Sequence, residues 1–286
     1  MKIGFLATGV LRSRVDFAEL AQFGAAHGYQ AVDIPDKPAN AVDIARAAGL
    51  EPAAAGGLPA LIVADPAKRE ENIAQAIQRL DDVARQGIHL VMLNHGRVPD
   101  ASDDDNFEYA RLGYTPVAEH AQKLGLKLAI EHYPSYGRNL AISPARWRRL
   151  FEVVPAPSLG LCFDPSHLVF LGIDYLRALR EFGSRIHYAH AKDTEIIPEG
   201  LYQEGFLGGR DFGRKAVGKP GWWRYCLPGT GQVQWGTYIS ALLDIGYDGI
   251  LSVEHEDDLW GWLDDPQRAM QGLVVAEKYL RQFLPD

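Results

Sequence analysis

Short apolar runs alternate with amphipathic stretches along the whole chain. Eight runs read as strands: Lys2–Ala7, Ala31–Ile34, Pro52–Gly56, His89–His95, Lys127–His132, Gly160–Asp164, Ile186–Lys192 and Gly249–His255. They are short, and β-branched or small and apolar, which suits strands buried on both faces of a parallel sheet. Helical periodicity follows most of them, over Asp16–His27, Ala39–Ala48, Pro66–Gln86, Tyr109–Leu124, Pro144–Val154, Asp174–Phe182, Thr237–Ile245 and Pro266–Phe283. Glycines stand where several of these helices must end, as at Gly28, Gly87 and Gly246. Pro66 and Pro144 suit first turns, the latter behind Ser143 as N-cap.

A strand-then-helix unit repeated in this way predicts an α/β chain folded as a single-domain (β/α)8 TIM barrel over residues 1–286. A doubly wound open sheet is the alternative. The third strand has poor β propensity in Ala53-Ala54-Ala55-Gly56-Gly57. No GxGxxG follows the first strand, so nothing favours a dinucleotide-binding version of that sheet.

One segment breaks the rhythm. Thr194–Trp235, after the seventh strand, carries nine glycines and seven aromatics, Tyr202, Phe206, Phe212, Trp222, Trp223, Tyr225 and Trp235. That aromatic content argues against a disordered linker. The segment reads as a lid over the barrel mouth or as the interface of a homo-oligomer.

Composition narrows the function. With 29 basic and 37 acidic residues the net charge is −8, which disfavours binding to a phosphate backbone, so no nucleic-acid partner is expected. Two cysteines, Cys162 and Cys226, exclude a disulfide scaffold and fit a reduced, cytoplasmic setting. No apolar stretch approaches the roughly 20 residues of a membrane helix, and the first residues read as a strand rather than a signal peptide.

In barrels of this type catalytic groups stand at the C-terminal ends of the strands. Strand five ends in Glu131-His132, strand six in Asp164-Pro165-Ser166-His167, strand seven in His190-Ala191-Lys192-Asp193 and strand eight in Glu254-His255-Glu256. A carboxylate closing a buried apolar run is expensive without a partner. Glu131, Asp164, His190 and Glu254 converging on one mouth need a cation, or salt bridges across the mouth, to neutralise them. Mostly oxygen ligation with one imidazole points to Mn²⁺ first, then Mg²⁺, Co²⁺ or Zn²⁺. His95 and His132, at the ends of strands four and five, stand as substrate contacts or as supports for the ligands.

These four strand-end motifs resemble those of the xylose isomerase-like barrel superfamily. Within it they are most similar to the sugar phosphate isomerase/epimerase group, with its ketose 3-epimerases, hydroxypyruvate isomerase and inosose dehydratase. The resemblance implies one divalent metal held by Glu131, Asp164, His190 and Glu254, with Glu131 and Glu254 as acid and base. It implies that His167 contacts a substrate oxygen, and Lys192 joins the substrate-binding candidates. The arginine such relatives carry after the metal-binding histidine is replaced here by Asp193, Thr194 and Glu195. Arg224, within the long segment, is the candidate to supply that contact. A DNA-repair endonuclease branch shares the superfamily, but its Asp-x-His motif is absent from this chain.

The implied substrate is a small sugar or keto-sugar. The implied reaction is proton abstraction beside a carbonyl through a metal-stabilised enediolate. Proton return gives an isomerase or epimerase. Loss of a β-substituent gives a dehydratase or lyase acting on a keto-sugar, keto-inositol or keto-glycoside. A non-catalytic sugar-binding barrel is the remaining alternative, and would not need both glutamates.

Overall fold

The computed structural model describes residues 1–93, 96–135, 138–208, 214 and 221–284. Among the described residues ten strands run in chain order: β1 (Lys2–Leu6), β2 (Ala31–Ile34), β3 (Glu51–Ala55), β4 (Leu90–Leu93), β5 (Lys127–Glu131), β6 (Leu159–Phe163), β7 (Ile186–Ala191), β8 (Asp193–Ile196), β9 (Trp223–Cys226) and β10 (Ile250–Glu254). Eight of them close a barrel in the order β1-β10-β7-β6-β5-β4-β3-β2, every pairing parallel. The open-sheet alternative is thereby excluded. The helices are α1 (Gly9–Arg14), α2 (Phe17–Ala26), α3 (Ala41–Ala47), α4 (Pro66–Arg85), α5 (Asp103–Lys123), α6 (Pro144–Val153), α7 (Pro165–Phe170), α8 (Tyr175–Glu181), α9 (Pro198–Glu204), α10 (Trp235–Asp244) and α11 (Pro266–Arg281).

The eight sequence-predicted strands are the eight barrel strands, with ends shifted by a residue or two. The alanine-rich β3 is real but thinly paired, meeting β4 through Ala55 and Val91. Its small side chains are buried in an inner cluster with Ala31, Ala129, Cys162 and Tyr188. Helix α5 begins at Asp103, six residues before the predicted Tyr109. Ser102 Oγ accepts the Asp105 N–H at 3.1 Å, and three aspartates fill the first turn, where they complement the helix dipole. No described helix is long and apolar enough to cross a membrane.

Among the described residues, the segment after the seventh strand carries regular structure. β8 and β9 pair antiparallel, and α9 lies between them. Asp193 anchors this excursion. Its carboxylate accepts N–H groups from Thr194, Gly229, Gly231 and Val233 and the indole N–H of Trp235, at 2.8–3.1 Å. Gly231 is needed there, because a Cβ would collide with Asp193 and Thr194. Trp222, Trp223 and Tyr225 are buried and form a separate cluster with Phe170, Ile196 and Leu201.

Candidate metal centre

Glu131 and Glu254 are the last residues of β5 and β10. Asp164 follows β6 and caps α7, its Oδ1 accepting the Ser166 N–H at 2.8 Å. That cap starts a one-and-a-half-turn helix whose first turn carries His167 to the mouth. Ligand atoms of Glu131, Asp164, His167 and Glu254 all lie within 4.8 Å of one another. His190, on β7, borders the same group, its Nδ1 lying 3.2 Å from Glu254 Oε2 and 3.6 Å from Glu131 Oε1. Asp164, His167 and His190 are buried, and Glu131 is 22% exposed at its side chain.

The electrostatics demand positive charge. Glu131, Asp164, Glu254 and Glu256 share the mouth with the Lys192 ammonium, which lies 2.6, 3.3 and 3.4 Å from Glu254, Asp164 and Glu256, and the Arg214 guanidinium, 5.0 Å from the Tyr225 ring, adds its attraction at Glu256. Burial opposes a charge on His190, but Cys162, Glu254 and Glu131 beside it raise its pKa well above the usual imidazole range, so the ring itself meets part of the negative excess. Burial opposes ionisation of Glu131, but the His167 and His190 imidazoles and the Lys192 ammonium hold it well below the usual carboxylate range. Burial likewise opposes the Asp164 charge, and His167, Lys192 and His190 outweigh it. Burial pushes the Glu256 carboxyl up, against the pull of Lys192. The Lys192 ammonium, disfavoured by burial, is held charged by Glu254, Glu256 and Asp164.

Asp164 Oδ2 and both ring nitrogens of His190 make no hydrogen bond of full geometry at this mouth; Asp164 Oδ2 is met only by long contacts of 3.3 Å from Lys192 and His167, and His190 Nδ1 by one of 3.2 Å to Glu254. Buried acceptors held so loosely are costly. Lone pairs of a carboxylate and an imidazole, beside two further carboxylates, form the donor set that suits a hard or borderline divalent cation.

A sequence-family model described as a xylose isomerase-like TIM barrel matches residues 15–279. The chain belongs to this family. An inosose dehydratase from Lacticaseibacillus casei is 27% identical over 182 residues, covering 62% of this chain and 54% of that protein. The chain spans about half the length of the curated relatives it matches. Among solved structures, D-psicose 3-epimerase with D-tagatose from Clostridium cellulolyticum H10 superposes with a TM-score of 0.74 at 16% identity, over 100% of both chains. The IOLI protein with a bound zinc atom gives 0.71 at 18% identity, again over 100% of both chains. At such identities these two likenesses bear on the fold.

Within the family barrel, His167 is oriented by Tyr225, whose hydroxyl lies 2.8 Å from Nδ1. This leaves Nε2 facing Glu131 and Asp164, 3.3 Å from each. His132 lies beneath, its Nε2 accepting the Asp164 backbone N–H at 3.1 Å. Arg224 is engaged elsewhere. Its guanidinium pairs with Glu195 and with Asp257, the latter at 2.8 Å, and ties β9 to β8 and to the loop after β10. His95 lies outside the described residues. Sequence reasoning passed over Glu256 and Tyr225. Glu256 carried a signal, standing two residues beyond Glu254. Tyr225 carried none beyond its membership of an aromatic stretch, because a separate hairpin brings it to the mouth.

Proposed function

We propose that this chain is a divalent-metal-dependent enzyme that removes a proton next to the carbonyl of a small sugar-like substrate. The observation that supports this most is the convergence of Glu131, Asp164, His167 and Glu254 within 4.8 Å, bordered by His190, whose Nδ1 lies 3.2 Å from Glu254. Glu131, Asp164, His190 and Glu254 would hold the cation. His167, whose Nε2 is turned toward Glu131 and Asp164 by the Tyr225 bond to Nδ1, stands beside them as the neighbouring imidazole. When bound, the cation supplies Lewis-acid polarisation of carbonyl and hydroxyl oxygens, which acidifies the neighbouring carbon.

The remaining chemistry belongs to the chain. Glu131 and Glu254, on β5 and β10, flank the mouth, one to take the proton and the other to return one. His167 Nε2 and the Lys192 ammonium face the same space and bind substrate oxygens. The β8–β9 hairpin forms a wall of the site, since Tyr225 touches His167 and its ring lies 4.5 Å from Lys192 Nζ. Trp222 and Trp223, clustered with Tyr225 behind that wall, back it.

Proton return makes the enzyme an isomerase or epimerase. A second reading, a dehydratase or lyase, is favoured by Lys192, an ammonium placed against Glu254 where a departing hydroxyl needs a proton. One experiment tests both. The Mn²⁺-loaded protein is incubated in D₂O with a panel of ketoses, keto-inositols and keto-glycosides, and the products are weighed. Deuterium gained at constant composition supports the isomerase, and loss of one water or of an aglycone supports the lyase. No exchange with any of them, in protein shown to contain metal, overturns the proposal.

A further inference from the structure

Two cavities share a wall at the barrel mouth. The inner one, about 320 Å³, is lined by Glu131 and His190 together with Asp33, Met92 and Gly57. The outer one, about 760 Å³, runs over α1, the start of α2 and the stretch after β2. Ala7, Arg12, Pro35 and Asp36 line both. We propose that the outer cavity is a second substrate subsite, taking a neutral, apolar, aryl-sized substituent on a sugar whose reacting carbons occupy the inner cavity. This rests on the catalytic reading above.

Size, lining and charge support the assignment. The inner cavity sits at the small end of the range for small-molecule sites, roughly 300–1,000 Å³. A single sugar ring fits within it, and the larger outer space is open to whatever the ring carries. The outer lining is chiefly apolar, with Leu11, Val15, Phe17, Leu20 and Pro38. Its charged residues balance, Arg12 and Lys37 against Asp16 and Asp36. Asp36 lies 3.8 Å from Arg12, and Asp16 is spent on the N–H groups of Ala18 and Glu19. Such a rim offers no net field to a phosphate or carboxylate tail, so a neutral occupant is selected. Arg12, at the junction, keeps guanidinium donors for the oxygen that links the two parts.

The outer wall is built in advance. Gly9 has φ +48°, and a Cβ there would collide with Trp262, so α1 lies directly on that residue. The Val10 N–H donates to the Trp262 carbonyl at 2.8 Å, and Arg14 donates to the Asp264 carbonyl at 3.2 Å.

The test compares methyl β-D-glucopyranoside with phenyl β-D-glucopyranoside on the Mn²⁺-loaded full chain, by calorimetry and ligand-observed NMR. The phenyl glycoside is expected to bind at least about tenfold tighter, the return on burying one ring. Val15→Trp and Ala39→Trp, which fill the outer cavity, are expected to reduce the phenyl-to-methyl ratio to about twofold or less. Equal affinities in the wild type, no binding of either glycoside, or a phenyl preference that survives both variants overturns the subsite. Mn²⁺ titration of the same samples judges the catalytic reading separately. Protein that takes up no metal sinks that reading, whereas metal-replete protein without a phenyl preference sinks only the subsite.

Discussion

The Lys192 ammonium lies 2.6 Å from Glu254 Oε2, so a fixed positive charge touches a carboxylate that is also a candidate metal ligand. The pair is buried, with side-chain exposures of 1% and 8%. Fixed ammonium and divalent cation therefore act on the same oxygen cluster. Lys192 lowers the cost of gathering four carboxylates, yet it repels the ion they would hold.

Lys192→Met separates these effects. The metal-free protein should lose about 3–5 kcal/mol, the usual cost of stranding a buried charge by removing its partner. Mn²⁺ affinity should rise, because the repelling charge is gone, while turnover falls. Urea unfolding of the metal-free variant and calorimetric Mn²⁺ titration check both halves. Weaker Mn²⁺ binding in the variant would show that Lys192 organises the site rather than competing for it.

Glu254→Gln keeps the side-chain shape and removes the base. Solvent-deuterium exchange should fall by at least about 10²-fold, the scale of a positioned acid or base. The fold should persist, seen as an unchanged far-ultraviolet dichroism spectrum. Exchange within a few-fold of wild type would demote Glu254 to a structural role.

How much of this site the sequence discloses follows from the range of each interaction. Glu131 and Glu254 end apolar runs, and that local contrast marks them without any fold. The short helices α1 and α7 leave no periodic signal, since six residues cover less than two turns. With α1 went one wall of the mouth and Arg12. Asp33 hides inside the four-residue run of β2. Its carboxylate accepts the Tyr188 hydroxyl and the Ser252 Oγ, partners 155 and 219 residues away, and burial raises its pKa to about 6. Arg224 shows the same limit from the other side. Its place among aromatics suggested a free cation, while its partners Glu195 and Asp257 come from the other hairpin strand and the loop after β10.

Arg224→Ala should therefore act on the hairpin. Asp257 is 1% exposed, and it also accepts the backbone N–H of Leu227 and Leu259. Stranding it should cost about 3 kcal/mol. Hydrogen exchange should accelerate over Asp193–Ile196 and Trp223–Cys226 while Mn²⁺ affinity holds. Unchanged protection there, with substrate binding selectively lost, would return Arg224 to the substrate contacts.

Stability should fall on mild acidification, through histidines far from the metal centre as well as near it. His187 lies toward the N-terminal end of β7, its Nδ1 3.0 Å from the Leu128 carbonyl, so in the neutral ring that nitrogen donates. Burial pushes its pKa down from 6.5 to about 4, and burial does the same to His255. The unfolded chain takes up these protons near pH 6.5, whereas the folded chain refuses them until about pH 4. Between those limits the unfolded state binds more protons, so stability is full above pH 6.5 and is lost as pH falls toward 4. For His187 alone the loss between pH 7 and pH 5 should be about 2 kcal/mol. His187→Gln should be less stable than wild type at pH 7, yet its unfolding free energy should decline less steeply by about that amount. Urea titrations of metal-free protein at pH 7, 6 and 5 measure the two slopes. Parallel slopes would mean that the carboxylates of the mouth, rather than His187, set the acid limit of the fold.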